Sequence, residues 1–173
     1  CTNLLKILFK FERNFIMADN LITVLGANSN IVGTAGIDTV NFVNSNAAVT
    51  VNLSTGANSG GFAQGTTITA VENVTGSNFG DILTGDNGVN VLSGGVGNDT
   101  LSGLDGADVL DGGAGADVLN GGNGQDQAYY AFSTAGVTIN LANGTATGGD
   151  ATGDGRHGNV ECRRGELHAY GQL

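Results

Sequence analysis

Between Gly76 and Tyr129 the chain sets one large apolar side chain in every nine residues, at Leu83, Leu92, Leu101, Leu110 and Leu119, with Ala128 in the sixth place. Polar residues and glycines fill the intervals. The stretch divides into GSNFGDILT, GDNGVNVLS, GGVGNDTLS, GLDGADVLD, GGAGADVLN and GGNGQDQAY. Position one is always Gly, position four is Gly except at Phe79, position six is Asp except at Asn90, and position eight is Leu except at Ala128. One apolar residue in nine cannot be buried by a single unit, so the units must stack on one another. The last three residues of each unit predict a short strand, and the glycines before them a tight turn. Two units then close one turn of a flattened solenoid. Leu83, Leu101 and Leu119 fall on one wall and Leu92 and Leu110 on the other. Asp81, Asp99 and Asp117 line one edge, and Asn90, Asp108 and Asp126 the opposite edge.

A weaker unit, GTAGIDTVN, stands at residues 33–41 and brings Asp38 to position six. A longer repeat appears on shifting the chain by 88 residues, which superposes Asp38 on Asp126 and Val49-Thr50-Val51-Asn52-Leu53 on Val137-Thr138-Ile139-Asn140-Leu141. Both copies alternate apolar and polar residues and then turn at Gly, the pattern of a strand or hairpin extending or capping the solenoid. At the start of the chain Leu4, Leu8, Phe11 and Phe15 recur at helical spacing, but Lys6, Lys10 and Arg13 interrupt them. That run is too short and too charged to span a bilayer and has its charges misplaced for a signal peptide. Met17 reads as the natural start.

Composition sharpens this picture. The 173 residues include 31 Gly and no Pro, without the three-residue glycine period of collagen or the prolines of a rigid linker. Residues 14–155 hold thirteen carboxylates and no Lys or Arg, within a formal net charge of -10. Such a body repels nucleic acid and anionic membrane and attracts cations. Strands stacked ~4.8 Å apart hold successive edge carboxylates at about that distance. Two charges near 4 Å repel by about 4 kcal/mol at an effective dielectric of 20, and no internal cation offsets this. Ca²⁺ takes 6 to 8 oxygens at ~2.3–2.6 Å and would bridge neighbouring turns, whereas Mg²⁺ demands a smaller octahedron.

The units GGVGNDTLS and GGAGADVLN resemble the hemolysin-type calcium-binding nonapeptide GGxGxDxUx of the RTX (repeats-in-toxin) family, U being a large apolar residue. The resemblance covers residues 76–129 and implies an all-β fold, a parallel β-roll (β-solenoid) with flanking strand or hairpin inserts and several Ca²⁺ ions between its turns. It also implies export through a type I system, secretion to the exterior or cell surface, and folding there. Carried over position by position, it makes Asp81, Asp99, Asp108, Asp117 and Asp126 side-chain ligands, with Asp38 added by the unit at 33–41. Asn90 departs from the motif and offers a neutral oxygen in a weaker site. Carbonyl ligands are expected from the loop glycines Gly94, Gly95, Gly97, Gly103, Gly106, Gly112, Gly113, Gly115, Gly121, Gly122 and Gly124. About three good sites and one poor one are expected.

The chain thus divides into a non-native or flexible extension (1–17), a strand-rich repeat and insert module (18–75), the calcium-binding roll (76–129), a second strand or hairpin insert (130–154) and a foreign, disordered tail (155–173). The tail carries half of the basic residues, both His and Cys162, and reads as a frame change or truncation. His157, His168 and Cys162 fit no metal-ligand spacing, and the Tyr129-Tyr130 pair is expected to plug the core where Leu gives way to Ala128. No phosphate loop, HExxH helix, EF-hand loop or catalytic triad pattern occurs. No catalytic residue, nucleic-acid partner or stable membrane insertion is therefore expected. The function expected is calcium binding by a non-enzymatic structural or adhesive segment, with a cell-surface or matrix partner possible. The alternative is the secretion and folding domain of an exported enzyme or toxin.

Overall fold

The computed structural model describes residues 21–129, together with the backbone of three further strands at 138–140, 145–147 and 155–163. Apart from one 3-10 turn at Gly61–Ala63, every regular element among the described residues is a strand. Seven strands of three residues come first: β1 (Leu21–Thr23), β2 (Asn30–Val32), β3 (Thr39–Asn41), β4 (Thr50–Asn52), β5 (Thr67–Thr69), β6 (Asn73–Thr75) and β7 (Ile82–Thr84). Longer ones follow: β8 (Val91–Val96), β9 (Thr100–Asp105), β10 (Val109–Ala114) and the twelve-residue β11 (Val118–Tyr129).

All pairings among β1 to β11 are parallel and build two walls. One runs β1-β3-β6-β8-β10-β11 and the other β4-β7-β9-β11, with β11 long enough to serve both. The register is that of an 18-residue turn, with Leu83 opposite Leu101 and Leu101 opposite Leu119 on one wall, and Leu92 opposite Leu110 on the other. The fold is the flattened solenoid that the nine-residue period predicts, wound as the parallel β-roll that the resemblance implies. Position eight points inward in every unit: Val40, Val74, Leu92, Leu110 and Ala128 on the first wall, and Val51, Leu83, Leu101 and Leu119 on the second, are all buried. Positions seven and nine point outward, which is why Ile82, Val91 and Val118 are exposed although apolar.

Strands of residues 21–75 stand in the same walls as the roll. β6 pairs with β8 at the 18-residue offset, whereas β3 pairs with β6 at 34 residues and β4 with β7 at 32, the extra length of these turns holding β2, β5 and the 3-10 turn. The segment also carries a small parallel sheet of β2 and β5, whose Ile31 and Ile68 join a core that includes Phe42, Val49 and Val71. After β11, β12 (Thr138–Asn140) and β13 (Thr145–Thr147) pair antiparallel, the hairpin form of the expected second insert. The first copy takes the other form, because β4 stacks parallel on β7 and makes only a single antiparallel bridge, Thr50 with Ser59.

Two expectations change. Residues 155–163 of the tail form β14 (Gly155–Arg163), parallel to β11. Tyr129 is not a core plug. Ala128 itself fills the inward position, and the strand alternation leaves Tyr129 half-buried on the outer face. Tyr130, residues 1–17 and the rest of the tail lie outside the described residues. No helix among the described residues is long and apolar enough to cross a membrane.

Candidate calcium-binding edges

The residue before each wall strand stands at the edge of the roll, so the stacking of strands lines up position six. Asp81, Asp99 and Asp117 share one edge and Asn90, Asp108 and Asp126 the other, and all six are buried. Each column is laced by one repeated bond in which a carboxylate accepts the backbone N–H of its counterpart one turn earlier. Asp99 Oδ1 accepts the N–H of Asp81 at 2.7 Å, and Asp117 Oδ1 that of Asp99 at 2.8 Å. On the opposite edge Asp108 Oδ1 accepts from Asn90 at 2.8 Å and Asp126 Oδ1 from Asp108 at 3.0 Å. One carboxylate oxygen of each pair is thereby spent on the fold.

The other oxygen divides the loops into two kinds. In the unit at 33–41, Asp38 Oδ2 accepts the N–H of Thr34 at 2.5 Å. Asp81 Oδ2 accepts that of Ser77 at 2.5 Å, and Asn90 Oδ1 that of Asp86 at 2.8 Å. The Ser77 hydroxyl adds a bond to Asp81, and Asn90 Nδ2 donates to the Glu72 carbonyl at 2.7 Å. These three loops close on their own side chains. In the units from residue 94 onward position two is Gly95, Leu104, Gly113 or Gly122, at φ of 107°, 80°, 88° and 93°. There positions two and three join the parallel ladder, with Gly95 opposite Gly113 and Leu104 opposite Gly122, instead of turning back to position six. Oδ2 of Asp99, Asp108 and Asp126 is consequently buried without a hydrogen-bond donor.

A buried carboxylate oxygen with no donor is costly, and the fold must offer it something else. Burial pushes the Asp99 carboxyl up to about 6, opposed by the Asp81 N–H and aided by the Asp81 charge. Asp108 is also pushed up to about 6 by burial, opposed by the Asn90 N–H and aided by Asp126 and Asp86. Oxygens from the backbone converge on the same places. A methyl group at Gly94 would strike both Asp99 Oδ2 and the carbonyl oxygen of Gly112, and one at Gly103 both Asp108 Oδ2 and that of Gly121. Methyls at Gly113, Gly115 and Gly124 would run into the carbonyl oxygens of Gly95, Gly97 and Gly106, one turn earlier. The glycines let two turns approach closely enough for carboxylate and carbonyl oxygens to face a shared space.

Among the described residues no three carboxylate, imidazole or thiol groups converge on one point. A cation held here must draw most of its oxygens from the backbone, with one or two carboxylates to carry the charge. An all-oxygen donor set with few side chains suits a hard ion of flexible coordination, which is Ca²⁺ rather than Mg²⁺ or a transition metal. The residues present therefore fit calcium.

All the expected ligands lie on the two edges, but they are not equivalent. Asp99, Asp108, Asp117 and Asp126 stand in loops of the open kind. Asp38, Asp81 and Asn90 sit in the same columns with the corresponding oxygen already bonded to a loop N–H. Glu72, which the repeat pattern passed over, belongs to the column too, since its Oε2 accepts the Asp38 N–H at 2.8 Å. The signal was present in residues 67–75, a degenerate unit with Glu72 at position six, Val74 at position eight and Ala70 at φ 52° in the place of the position-four Gly. Asp86 and Asp111 are not position-six residues. Asp86 caps the Gly88 N–H at 2.7 Å, and Asp111 lies on the outer face opposite Ser93.

No curated protein matches the chain. The family model of the RTX calcium-binding nonapeptide repeat, four copies, matches residues 75–108 and again 93–128. With the 18-residue turn, the two columns of Asp and the facing carbonyls, residues 75–128 of this chain are RTX-type calcium-binding nonapeptide repeats wound as a parallel β-roll.

Proposed function

We propose that the chain is a non-enzymatic, calcium-responsive structural segment of an exported protein, ordered outside the cell by the ion and serving there as a stalk or adhesive element. The observation that carries this reading is the set of donor-less buried oxygens on Asp99, Asp108 and Asp126, in a body with no Lys or Arg between residues 14 and 155. Without a cation these carboxylates oppose the stacking that buries Leu101, Leu110 and Leu119. With Ca²⁺ between turns the same oxygens become ligands and the repulsion becomes cohesion. Asp99, Asp108, Asp117 and Asp126 would hold the ions, together with carbonyls of Gly94, Gly95, Gly97, Gly103, Gly106, Gly112, Gly113, Gly115, Gly121, Gly122 and Gly124. Extracellular sites of this hard-oxygen kind bind at ~10⁻⁴–10⁻³ M, so the segment would stay loose in a low-calcium cytosol and order on release. Secretion, by a type I system in the resemblance, is the compartment logic of such a switch.

The test is a calcium titration of the full chain followed by far-UV circular dichroism, with chelator and Mg²⁺ as controls. A β signal that grows with Ca²⁺ in the sub-millimolar to millimolar range, and not with Mg²⁺, is the expected result. An identical spectrum in chelator and in Ca²⁺ would remove the basis for a switch.

A further inference from the structure

The division of the loops into closed and open kinds does not fall at random along the chain. Closed loops occur at Asp38, Asp81 and Asn90, all before residue 94, and the open ones with donor-less oxygens, at Asp99, Asp108 and Asp126, all after it. Two independent quantities change at the same boundary. Residues 21–93 bury twelve apolar side chains in 73 positions, about one in six, whereas residues 94–129 bury Leu101, Leu110, Leu119 and Ala128 in 36, or one in nine. Residues 21–93 carry four carboxylates (Asp38, Glu72, Asp81, Asp86), and residues 94–129 carry six in half the length (Asp99, Asp105, Asp108, Asp111, Asp117, Asp126). Apolar burial favours the fold and uncompensated charge opposes it, so both gradients run the same way.

We infer that the roll is built in two halves: residues 21–93 hold their fold without calcium and present the template on which residues 94–129 order when the ion binds. In the first half the work of the cation is done by Thr34, Ser77 and Asp86, whose backbone N–H groups, with the Ser77 hydroxyl, satisfy the position-six oxygens of Asp38, Asp81 and Asn90. Asn90 is the junction. Its amide supplies a neutral oxygen to its own loop and a donor to the Glu72 carbonyl, while its N–H docks the first charged turn of its edge through Asp108 Oδ1. An Asn here lets the ladder of the less charged half continue into the more charged half without placing a carboxylate directly next to Asp108 in line with Asp126. The paired edges of β7 and β8 are the surface on which β9 and β10 grow. Solenoids fold by such nearest-neighbour propagation, and a preformed end removes the nucleation step.

The inference rests on the calcium reading, and hydrogen exchange read by mass spectrometry on the full chain separates the two. In chelator, amides of β3, β4, β6 and β7 are expected to exchange more slowly than an unfolded reference by roughly 100-fold, while those of β9, β10 and β11 exchange freely. Added Ca²⁺ should then protect β9 to β11 and leave the first half almost unchanged. If both halves exchange freely in chelator and gain protection together, the template is refuted and the calcium response stands. If Ca²⁺ changes nothing anywhere, the proposed function falls and takes this inference with it. Phe42→Ala, which empties the core of the first half far from the open loops, provides a second arm. The midpoint for protection of β9 to β11 should rise several-fold. A midpoint that stays fixed although protection of the first half is lost would overturn the template role.

Discussion

Protons and calcium should drive the open half of the roll in the same direction but compete for the same oxygens. The carboxyls of Asp99 and Asp108 are pushed up to about 6 in the fold, against 3.8 for an unburied Asp. A raised folded value means that the folded state binds more protons than the unfolded chain between these limits. The calcium-free fold is therefore most stable below pH 3.8 on this account and loses that stability as pH rises through 6. Between pH 7 and pH 5 a carboxyl shifted this far gains at most about 1.3 kcal/mol, and about 1 kcal/mol after screening at the roll's edge, or about 2 kcal/mol for the two. In calcium the sign reverses, because a ligand must be ionised. At pH 5 a group titrating near 6 is about 90% protonated in the folded turn, so the calcium midpoint should rise on going from pH 7 to pH 5, by at most ~10-fold for a turn already folded before the ion binds. The assay is a calcium titration by circular dichroism at pH 7, 6 and 5, with a chelator series alongside. Asp99→Asn and Asp108→Asn imitate the protonated groups, as Asn90 does naturally in the neighbouring turn. Each should raise residual order in chelator at pH 7 and weaken the calcium response. A calcium midpoint independent of pH, or a chelated chain that loses order on acidification to pH 5, would refute the reasoning.

Further outcomes follow from single positions. Gly94→Ala sets a methyl against Asp99 Oδ2 and the Gly112 carbonyl and should abolish the calcium response of that turn, whereas Gly88→Ala meets only the Asp86 side chain at 3.1 Å and should be mild. Circular dichroism titrations of the two variants would compare them. Leu101→Ala removes a fully buried side chain and should cost about 2–5 kcal/mol in a urea melt in saturating Ca²⁺, against under about 0.5 kcal/mol for the outward Val118→Ala. Leu104 holds φ 80° where its counterparts in the other open loops are Gly. Leu104→Gly should therefore stabilise the calcium-loaded chain by about 1 kcal/mol, and a loss in the same melt would mean that the side chain packs better than its half-buried position suggests. Replacing Asp99 and Asp117 together by Ala should lower calcium affinity more than replacing Asp86 and Asp111, measured by isothermal titration.

The roll itself was legible because its period is its structure. A single Leu in nine residues has only one way to be buried, so Leu83, Leu101 and Leu119 had to share a wall and Asp81, Asp99 and Asp117 an edge. What escaped the period was the rest of the same solenoid. In residues 44–52 and 67–75 position six is Val49 and Glu72 and position four is Ala47 and Ala70, so the glycine and Asp columns vanish while the inward Val51 and Val74 continue. Burial selects the apolar position more strictly than the turn selects its glycine, and the first is harder to see in a sequence rich in Val and Ala. The difference between Asp81 and Asp99 was also hidden, because both occupy position six of a well-formed unit. It lies in the partner four residues earlier, Ser77 for the one and Gly95 for the other. Whether that residue turns its N–H into the loop or joins the ladder is settled only when the next turn is in place.

Position two is thus where the chain decides between carrying its own donor and requiring a cation. Ser77 or Thr34 brings a hydroxyl and an N–H to the position-six oxygen, and Asp86 an N–H, and a loop closed in this way has no vacancy for an ion. Gly95, Gly113 and Gly122 take positive φ without strain, extend the ladder by three residues and leave Oδ2 to be satisfied from outside. The longer ladder favours the open loop in backbone bonds, and the buried, donor-less carboxylate oxygen disfavours it until a cation satisfies it. A repeat protein can therefore set how much of its length answers to the ion by one residue per unit, without altering the Leu that forms its core or the Asp that laces its edges.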